Sequence, residues 1–248
     1  MILVLDSGNS RLKWGLVGPR GWLAFGAVPN AELAKLALRD WQNLSRPSRV
    51  LGVNVGGEAA RVRVEGQLAR WRLPVEWLTA GAAAGGVVNH YARPAQLGAD
   101  RWASLVAARR RATADGLLPP PCIVVNAGTA VTVDALDADG VFRGGIILPG
   151  PRLMLQALAD KTAALRVPPG NFDDFPTNTA DALYTGALQA ICGAIEQMRA
   201  KLRADDADDV KCFLAGGAAQ EIAPYLAGPV EVVDNLVLEG VLLLGSEP

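Results

Sequence analysis

The sequence predicts an α/β protein of two similar halves, each a mixed sheet flanked by helices, with a cleft between them. Three observations carry this. Ile2–Leu5 is an apolar run that reads as a buried strand, Asp6-Ser7-Gly8-Asn9 supplies turn formers, and Arg11–Leu16 resumes with period-two alternation. The design then recurs: Ile123–Val125 is followed by Asn126-Ala127-Gly128-Thr129 and a further strand, Val131–Asp134, so Asp6, Gly8 and Asn9 fall opposite Asn126, Gly128 and Thr129. In each half, strands come first and helices afterwards, which gives mixed sheets with helices packed on them.

In chain order, Trp22–Val28 reads as a third strand. A helix is expected from Asn30, as its cap, through Leu33, Leu36, Ala37 and Trp41. Arg49–Asn54 is a further buried strand, Gly56-Gly57 opens a helix through Val62, Leu68 and Trp71, and Val75–Leu78 closes the set. Between Thr79 and Pro94 the pattern loosens into a loop, with Val87–Tyr91 short and extended. Leu97-Gly98-Ala99-Asp100-Arg101-Trp102 leads into a helix carrying Leu105, Val106 and Ala108. Pro119–Pro121 cannot continue a helix and stiffen a connection, so the boundary is placed between halves 1–118 and 119–248.

The second half runs through Ile123–Ala130, Val131–Leu136, a turn at Asp137–Gly140, and Val141–Gly150 before a helix over Leu153–Ala159. Lys161–Thr177 is irregular. A long helix capped by Asn178 follows, with Leu183, Ala187, Ile191, Ile195, Met198 and Leu202 in one apolar stripe. Asp205–Asp209 is an acidic turn. Lys211–Ala215 is a strand ending in Gly216-Gly217 at a helix start, a ledge suited to a sugar or phosphate; Val230–Val233 and a helix from Asn235 finish the chain.

Composition narrows the function. Half the 248 residues are hydrophobic and one-fifth charged, enough for two modest cores. The net charge of −1 and the lack of a basic cluster interleaved with aromatics argue against nucleic acid as the main partner. No apolar run reaches membrane-spanning length and no secretory signal is read, so a cytoplasmic protein without a membrane partner is expected. Cys122, Cys192 and Cys212 are odd in number and set in apolar stretches, as buried free thiols are. His90 is the only histidine, which excludes a histidine metal cluster.

The two turns suit an anion. Gly8 can take the φ > 0 conformation that lets a phosphate approach, the backbone N–H groups face outward, and Asp6 can hold a cation or water beside the phosphate. Read alone, Asp-x-Gly-Asn only closes a hairpin. On this stretch alone Asp100 reads first as a helix-start residue favoured by the helix dipole; the functional alternative makes it a proton acceptor, with Arg101 binding a carboxylate through its planar fork. Tyr91 reads as a packed ring or as a group closing over a ligand.

Two halves that each open on such a hairpin, joined by a hinge and ending in a Gly-Gly ledge, match the RNase H-like domains of the actin-like, sugar-kinase-like ATPases. Over nearly its whole length the chain resembles the type III pantothenate kinases, a family that includes the Bvg accessory factors. The motifs are Asp6-x-Gly8-Asn9-Ser10 with Lys13, Tyr91 before Pro94, Leu97-Gly98-x-Asp100-Arg101-Trp102, Gly128-Thr129-Ala130, Gly144-Gly145-x-Ile147-x-Pro149-Gly150, Asn178-Thr179 with Gly186, and Gly216-Gly217. The resemblance implies transfer of the ATP γ-phosphoryl group to pantothenate, the first step of coenzyme A synthesis. It implies that Asp6, Ser7, Gly8, Asn9, Ser10, Lys13, Gly128, Thr129, Gly216 and Gly217 contact ATP, with Mg²⁺ held indirectly near Asp6. It further implies that Tyr91, Gly98, Ala99, Arg101 and Thr179 contact pantothenate, Thr179 reaching across a homodimer interface, and that Asp100 is the general base.

One position departs from the pattern. The family has Asp where this chain has Asn126, and that carboxylate holds an activating K⁺ or NH₄⁺. Asn keeps a carbonyl ligand and loses the charge, which at an effective dielectric near 20 weakens a neighbouring cation by about a few kcal/mol. Two other readings follow: a weak or inactive regulatory relative that binds nucleotide or a protein partner, supported by Asn126 alone, and a kinase of a sugar or another small alcohol, which the Tyr91 and Gly98–Arg101 set fits less well.

Overall fold

The structure, a computed structural model, describes residues 1–113, 119–162, 165, 167–203 and 210–246. It divides into two compact units, Met1–Arg111 with Asn235–Pro248, and Ala112–Asp234. Residue 118, at the boundary expected from the prolines, and the acidic turn at 205–209 lie outside the described residues.

In the first unit β1 (Ile2–Ser7), β2 (Arg11–Gly18) and β3 (Gly21–Pro29) form an antiparallel meander, and β4 (Arg49–Asn54) and β5 (Glu76–Trp77) add parallel on the other side of β1, in the order β3-β2-β1-β4-β5. β1 is apolar up to its last two residues because both its faces are covered. Leu3 and Leu5 join a core with Leu33, Leu36, Trp41, Val64 and Trp71, while Val4 faces the opposite core of Leu51, Val53, Ala103 and Val241. Trp41 stacks on Trp71 with ring centroids 5.6 Å apart and receives Trp14 edge-on, so these indoles are core. α1 (Glu58–Leu68) covers one face. A short antiparallel pair, β6 (Ala83–Ala84) with β7 (Val87–Asn89), precedes α2 (Ala99–Ala112).

The second unit repeats the plan. β8 (Cys122–Ala127), β9 (Ala130–Leu136) and β10 (Val141–Pro149) are antiparallel neighbours, and β11 (Lys211–Ala215) and β12 (Val230–Val232) add parallel beside β8, in the order β10-β9-β8-β11-β12. Strand order and strand sense both match the first unit, which is the repeat read from the two turns. α3 (Pro151–Lys161) follows β10. α4 (Thr179–Arg203) buries Leu188, Ile191, Ile195 and Leu202 against Ile123, Val125 and Leu214. Asn178 caps α4: its Oδ1 accepts from the Asp181 N–H at 3.0 Å, and its Nδ2 donates to the Asp181 carboxylate at 2.6 Å. The three cysteines are buried, and none of them forms a disulfide.

Three expectations are corrected. Asn30–Leu38 is a 3₁₀ segment, not an α-helix, and Trp41 lies beyond it. Asn30 does not cap it, because its side chain is committed elsewhere, to the turn after β1. The helix after Gly216-Gly217, α5 (Ala219–Ile222), is a single turn, so the dipole assumed for the ledge is small. The last helix, α6 (Leu236–Leu244), packs on β1 and β4 in the first unit, and the Gly240 backbone lies against the Ala103 carbonyl where a Cβ would collide. Arg111 at the end of α2 pairs with Glu239 of α6 at 2.6 Å, which fixes α2 on the same scaffold.

Candidate active site

The polar end of β1 emerges directly from an apolar strand. Asp6 stands opposite Lys13 and Ser7 opposite Leu12 in the β1–β2 register, and the turn between them is closed by a Gly8 N–H···O=C Arg11 bond of 3.1 Å. Asp6 is only 8% exposed, and burial pushes its carboxyl up to about 6; Lys13 pulls the other way and Asp100 adds to the rise. Asp6 and Asp100 are therefore within electrostatic reach of each other, although the sequence separates them widely. Ser7 is fully buried, with no hydrogen-bond partner for its hydroxyl, while Asn9 and Ser10 are exposed and Lys13 is half-buried.

The parallel neighbour β4 closes the turn from the side. Val55 and Gly56 both donate to the Ser7 carbonyl at 2.9 and 3.0 Å, and a Cβ on Gly56 would come within 2.6 Å of the Gly8 carbonyl oxygen. Asn54 shapes that crossing by accepting from Gly56 N–H at 3.2 Å and donating to the Gly57 carbonyl at 3.1 Å, and Gly57 takes a φ of 83° before α1.

At the first turn of α2, the Asp100 carboxylate accepts from the Arg101 N–H at 2.8 Å. Burial raises the Asp100 pKa, opposed by that bond and by the Arg101 charge. A Cβ at Gly98 would sit 2.7 Å from Asp100 Oδ1, so a side chain there would displace the carboxylate. Ala99 beside it is half-buried. The Arg101 side chain, 5% exposed, donates through Nη1 to the Tyr91 hydroxyl at 3.2 Å with its guanidinium carbon 5.9 Å from the ring centroid. Tyr91 is itself held by Asn89, whose Oδ1 accepts from the Tyr91 N–H at 3.1 Å while its Nδ2 donates to the Gly81 and Pro94 carbonyls. The stretch that reads as a loose loop is thus pinned at both ends by one buried asparagine. His90, next to it, is exposed.

In the second unit the turn after β8 has the same construction without a carboxylate. Asn126 is half-buried and stands opposite Thr132 on β9 and Ala215 on β11. Gly128 N–H donates to the Ala130 carbonyl at 2.9 Å and Gly150 N–H to the Thr129 carbonyl at 2.8 Å. Gly150 and Gly216, the latter at φ 104°, lie so close to the Gly128 and Ala127 carbonyls that neither tolerates a side chain. Gly216-Gly217 is therefore placed beside the Asn126–Thr129 turn, in which Gly128 and Thr129 are both exposed. Thr179, exposed at the start of α4, lines a separate hollow with Pro176, Asn178, Ala182 and Leu183.

Asn30 and Asn89 lie outside the set of site residues read from the sequence. Asn30 follows a strand and precedes an apolar periodic run, the signature of a cap, and its partners are more than twenty residues away. Asn89 has no local signal beyond a polar residue in an extended stretch. Among the described residues there is no cluster of three or more metal-ligating side chains and no helix long and apolar enough to cross a membrane.

The profile of the type III pantothenate kinase family matches residues 2–201. A protein of Leptothrix cholodnii named type III pantothenate kinase is 48% identical, over 99% of this chain and 96% of its own. Among solved structures, a Campylobacter jejuni protein described as a Baf family transcriptional activator superposes with a TM-score of 0.59 at 21% identity, covering 97% of this chain and 94% of that one. A Sinorhizobium meliloti protein described as a 2-dehydro-3-deoxygalactonokinase gives 0.56 at 13% identity, covering 98% and 97%. At such identities the two structures establish the fold alone, a mixed α/β fold with sheets flanked by helices.

Proposed function

The chain belongs to the type III pantothenate kinase family, and from that premise we propose that it transfers the γ-phosphoryl group of ATP to the hydroxyl of pantothenate, the first step of coenzyme A synthesis. The observation that supports this most is a pair of carboxylates within electrostatic reach, the buried Asp6 at the end of β1 and the partly buried Asp100 at the start of α2, in one unit with Lys13 opposite the first and Arg101 next to the second. Phosphoryl transfer asks the protein mainly for alignment and for stabilisation of charge, so such an end of a sheet is suited to it.

In this reading the Asp6–Ser10 turn, Lys13, Gly128, Thr129, Gly216 and Gly217 contact ATP. Asp100 accepts the hydroxyl proton as the new P–O bond forms and the bond to the leaving ADP breaks; burial raises its pKa, which makes it a better base than an exposed aspartate. Arg101, held by Tyr91, presents a fixed planar cation to the pantothenate carboxylate. Gly98 and Ala99 leave room for the substrate chain, and Thr179 adds a hydroxyl from the second copy of a homodimer. Asp6 fits an indirect Mg²⁺ site: a buried carboxylate whose neighbour Asp100 is also negative is stabilised by an added cation. Mg²⁺ would there neutralise charge on the phosphates. Asn126 offers K⁺ or NH₄⁺ a neutral oxygen. We place the enzyme in the cytoplasm.

The test is an ATP-dependent assay with pantothenate, with and without K⁺, paired with sedimentation at assay concentration. Formation of 4′-phosphopantothenate by a dimer is expected. Nucleotide binding without turnover would favour the regulatory reading instead.

A further inference from the structure

Asn30 reaches back across the sheet from the end of β3. Its Nδ2 donates to the Gly8 carbonyl at 3.0 Å and to the Asn9 carbonyl at 2.8 Å, and its backbone N–H donates to the Ser10 carbonyl at 3.0 Å. One residue thus holds three consecutive carbonyls of the turn after β1, and the carbonyl before them, Ser7, is taken by Val55 and Gly56. The peptide bonds of this turn are trans, and in a trans peptide the C=O and N–H point in opposite directions. Fixing the Gly8 and Asn9 carbonyls on one side therefore turns the Asn9 and Ser10 amide N–H groups to the other. Successive N–H groups presented by a turn form an anion-binding concavity.

Closing the hairpin does not need this. The β1–β2 register runs through six paired positions, and the turn already has its own Gly8-to-Arg11 bond. The amide orientation of Asn30 is set by its partners, since two carbonyl oxygens can only be met by the NH₂ group. Its Oδ1 is buried and without a hydrogen-bond partner, which leaves the donor end as the part of the side chain that is used.

We propose that Asn30 is a positioning residue for the nucleotide phosphates: it clamps the carbonyl edge of the Gly8–Ser10 turn so that the amide edge is preorganised for phosphate oxygens. This rests on reading that turn as an ATP contact. The clamp acts through the backbone and on phosphate alone, so it separates from effects on the nucleoside or on pantothenate.

Asn30→Ala removes both side-chain bonds and leaves the backbone bond to Ser10. Asn30→Asp is isosteric and sets a carboxylate against two carbonyl oxygens. Calorimetry with a non-hydrolysable ATP analogue and with adenosine, together with KM for ATP and for pantothenate and the melting temperature, reads the result. Loss of two partly exposed hydrogen bonds predicts about tenfold weaker analogue binding for Asn30→Ala, and a larger loss for Asn30→Asp. Adenosine affinity and the pantothenate KM should stay within about twofold. Unchanged analogue affinity in both variants would overturn the clamp, as would equal weakening of analogue, adenosine and pantothenate, the mark of a general structural role. If Asn30→Asp does not fold, the alanine variant decides alone. A wild-type protein that binds the analogue without phosphorylating pantothenate would refute the substrate assignment while leaving the Asn30 comparison decisive; one that binds no analogue would overturn both.

Discussion

The turn after β1 carries a buried carboxylate at its base and, across its carbonyls, an asparagine from just past β3, whereas the turn after β8 carries Asn126 at its base and is closed by the backbones of Gly150 and Gly216. The two lie at equivalent places in sets of five strands of matching order. The first is held by side-chain hydrogen bonds and is electrostatically expensive: burial raises the Asp6 pKa because the charged form has lost water. The second is held by backbone hydrogen bonds and the close approach of two glycines, and carries no charge at the matching position. Ionised groups of the candidate site are thus concentrated in the first unit, in Asp6, Lys13, Asp100 and Arg101, and a repeated backbone has been given two chemistries. Altering charge on either side breaks or sharpens that contrast.

The largest effect is expected from Asp100. Asp100→Asn keeps the shape of the α2 start and removes the proposed proton acceptor, so turnover should fall by about 10² or more while binding of an ATP analogue stays within about twofold. Turnover near wild type would move the base elsewhere and weaken the idea that the first unit's charge does the chemistry.

Asp6 gives a smaller loss with an opposite effect on stability. Removing a charged partner of the phosphates or their metal should lower kcat/KM for ATP on the order of tenfold. The fold should gain. With a native pKa of about 6 against an ordinary 3.8, Asp6 binds its proton more tightly in the folded state, so its contribution is fully present below about pH 3.8 and is lost as pH rises through about 6. That difference, in which the Lys13 attraction is already included, corresponds to roughly 3 kcal/mol. Asp6→Asn should therefore melt a few degrees higher than wild type at pH 7.5, with the gap closing near pH 4. Equal melting temperatures at both pH values would mean that Asp6 is not strained by burial.

Much of this architecture is legible in local pattern. Both hairpins, the start of α2 with Asp100 in its first turn, and the Asn178 cap of α4 are set by residues within a few positions of one another, and the equal strand orders follow from the repeated turn. What escapes a linear reading is long-range hydrogen bonding. Asn30 carries the same signature whether it caps the segment after it or clamps a turn more than twenty residues before it, and only the second is realised. Asn89 likewise spends its side chain on Gly81, Tyr91 and Pro94, none marked by periodicity. The packing of α6 on β1 and β4 depends on tertiary fit at Gly240 against Ala103, which a run of leucines and valines does not announce.

The smallest expected change, and the one that tests the contrast most directly, is Asn126→Asp, which gives the second turn the carboxylate that the family pattern has there. The side chain is half-buried at the end of β8, two residues before Gly128, whose carbonyl is already closed in by Gly150, so the new charge cannot be relieved by moving the turn. A cation can relieve it. At an effective dielectric near 20 a carboxylate and a monovalent ion in contact gain about a few kcal/mol over the neutral amide, which tightens K⁺ binding and raises turnover several-fold at limiting K⁺. Without the ion the same charge repels the ATP phosphates, so the gain should appear with K⁺ or NH₄⁺ and vanish with Li⁺. Rate against K⁺ concentration for the two proteins measures it. Coincident curves would mean that position 126 does not tune the cation and that the neutrality of the second turn is incidental to catalysis.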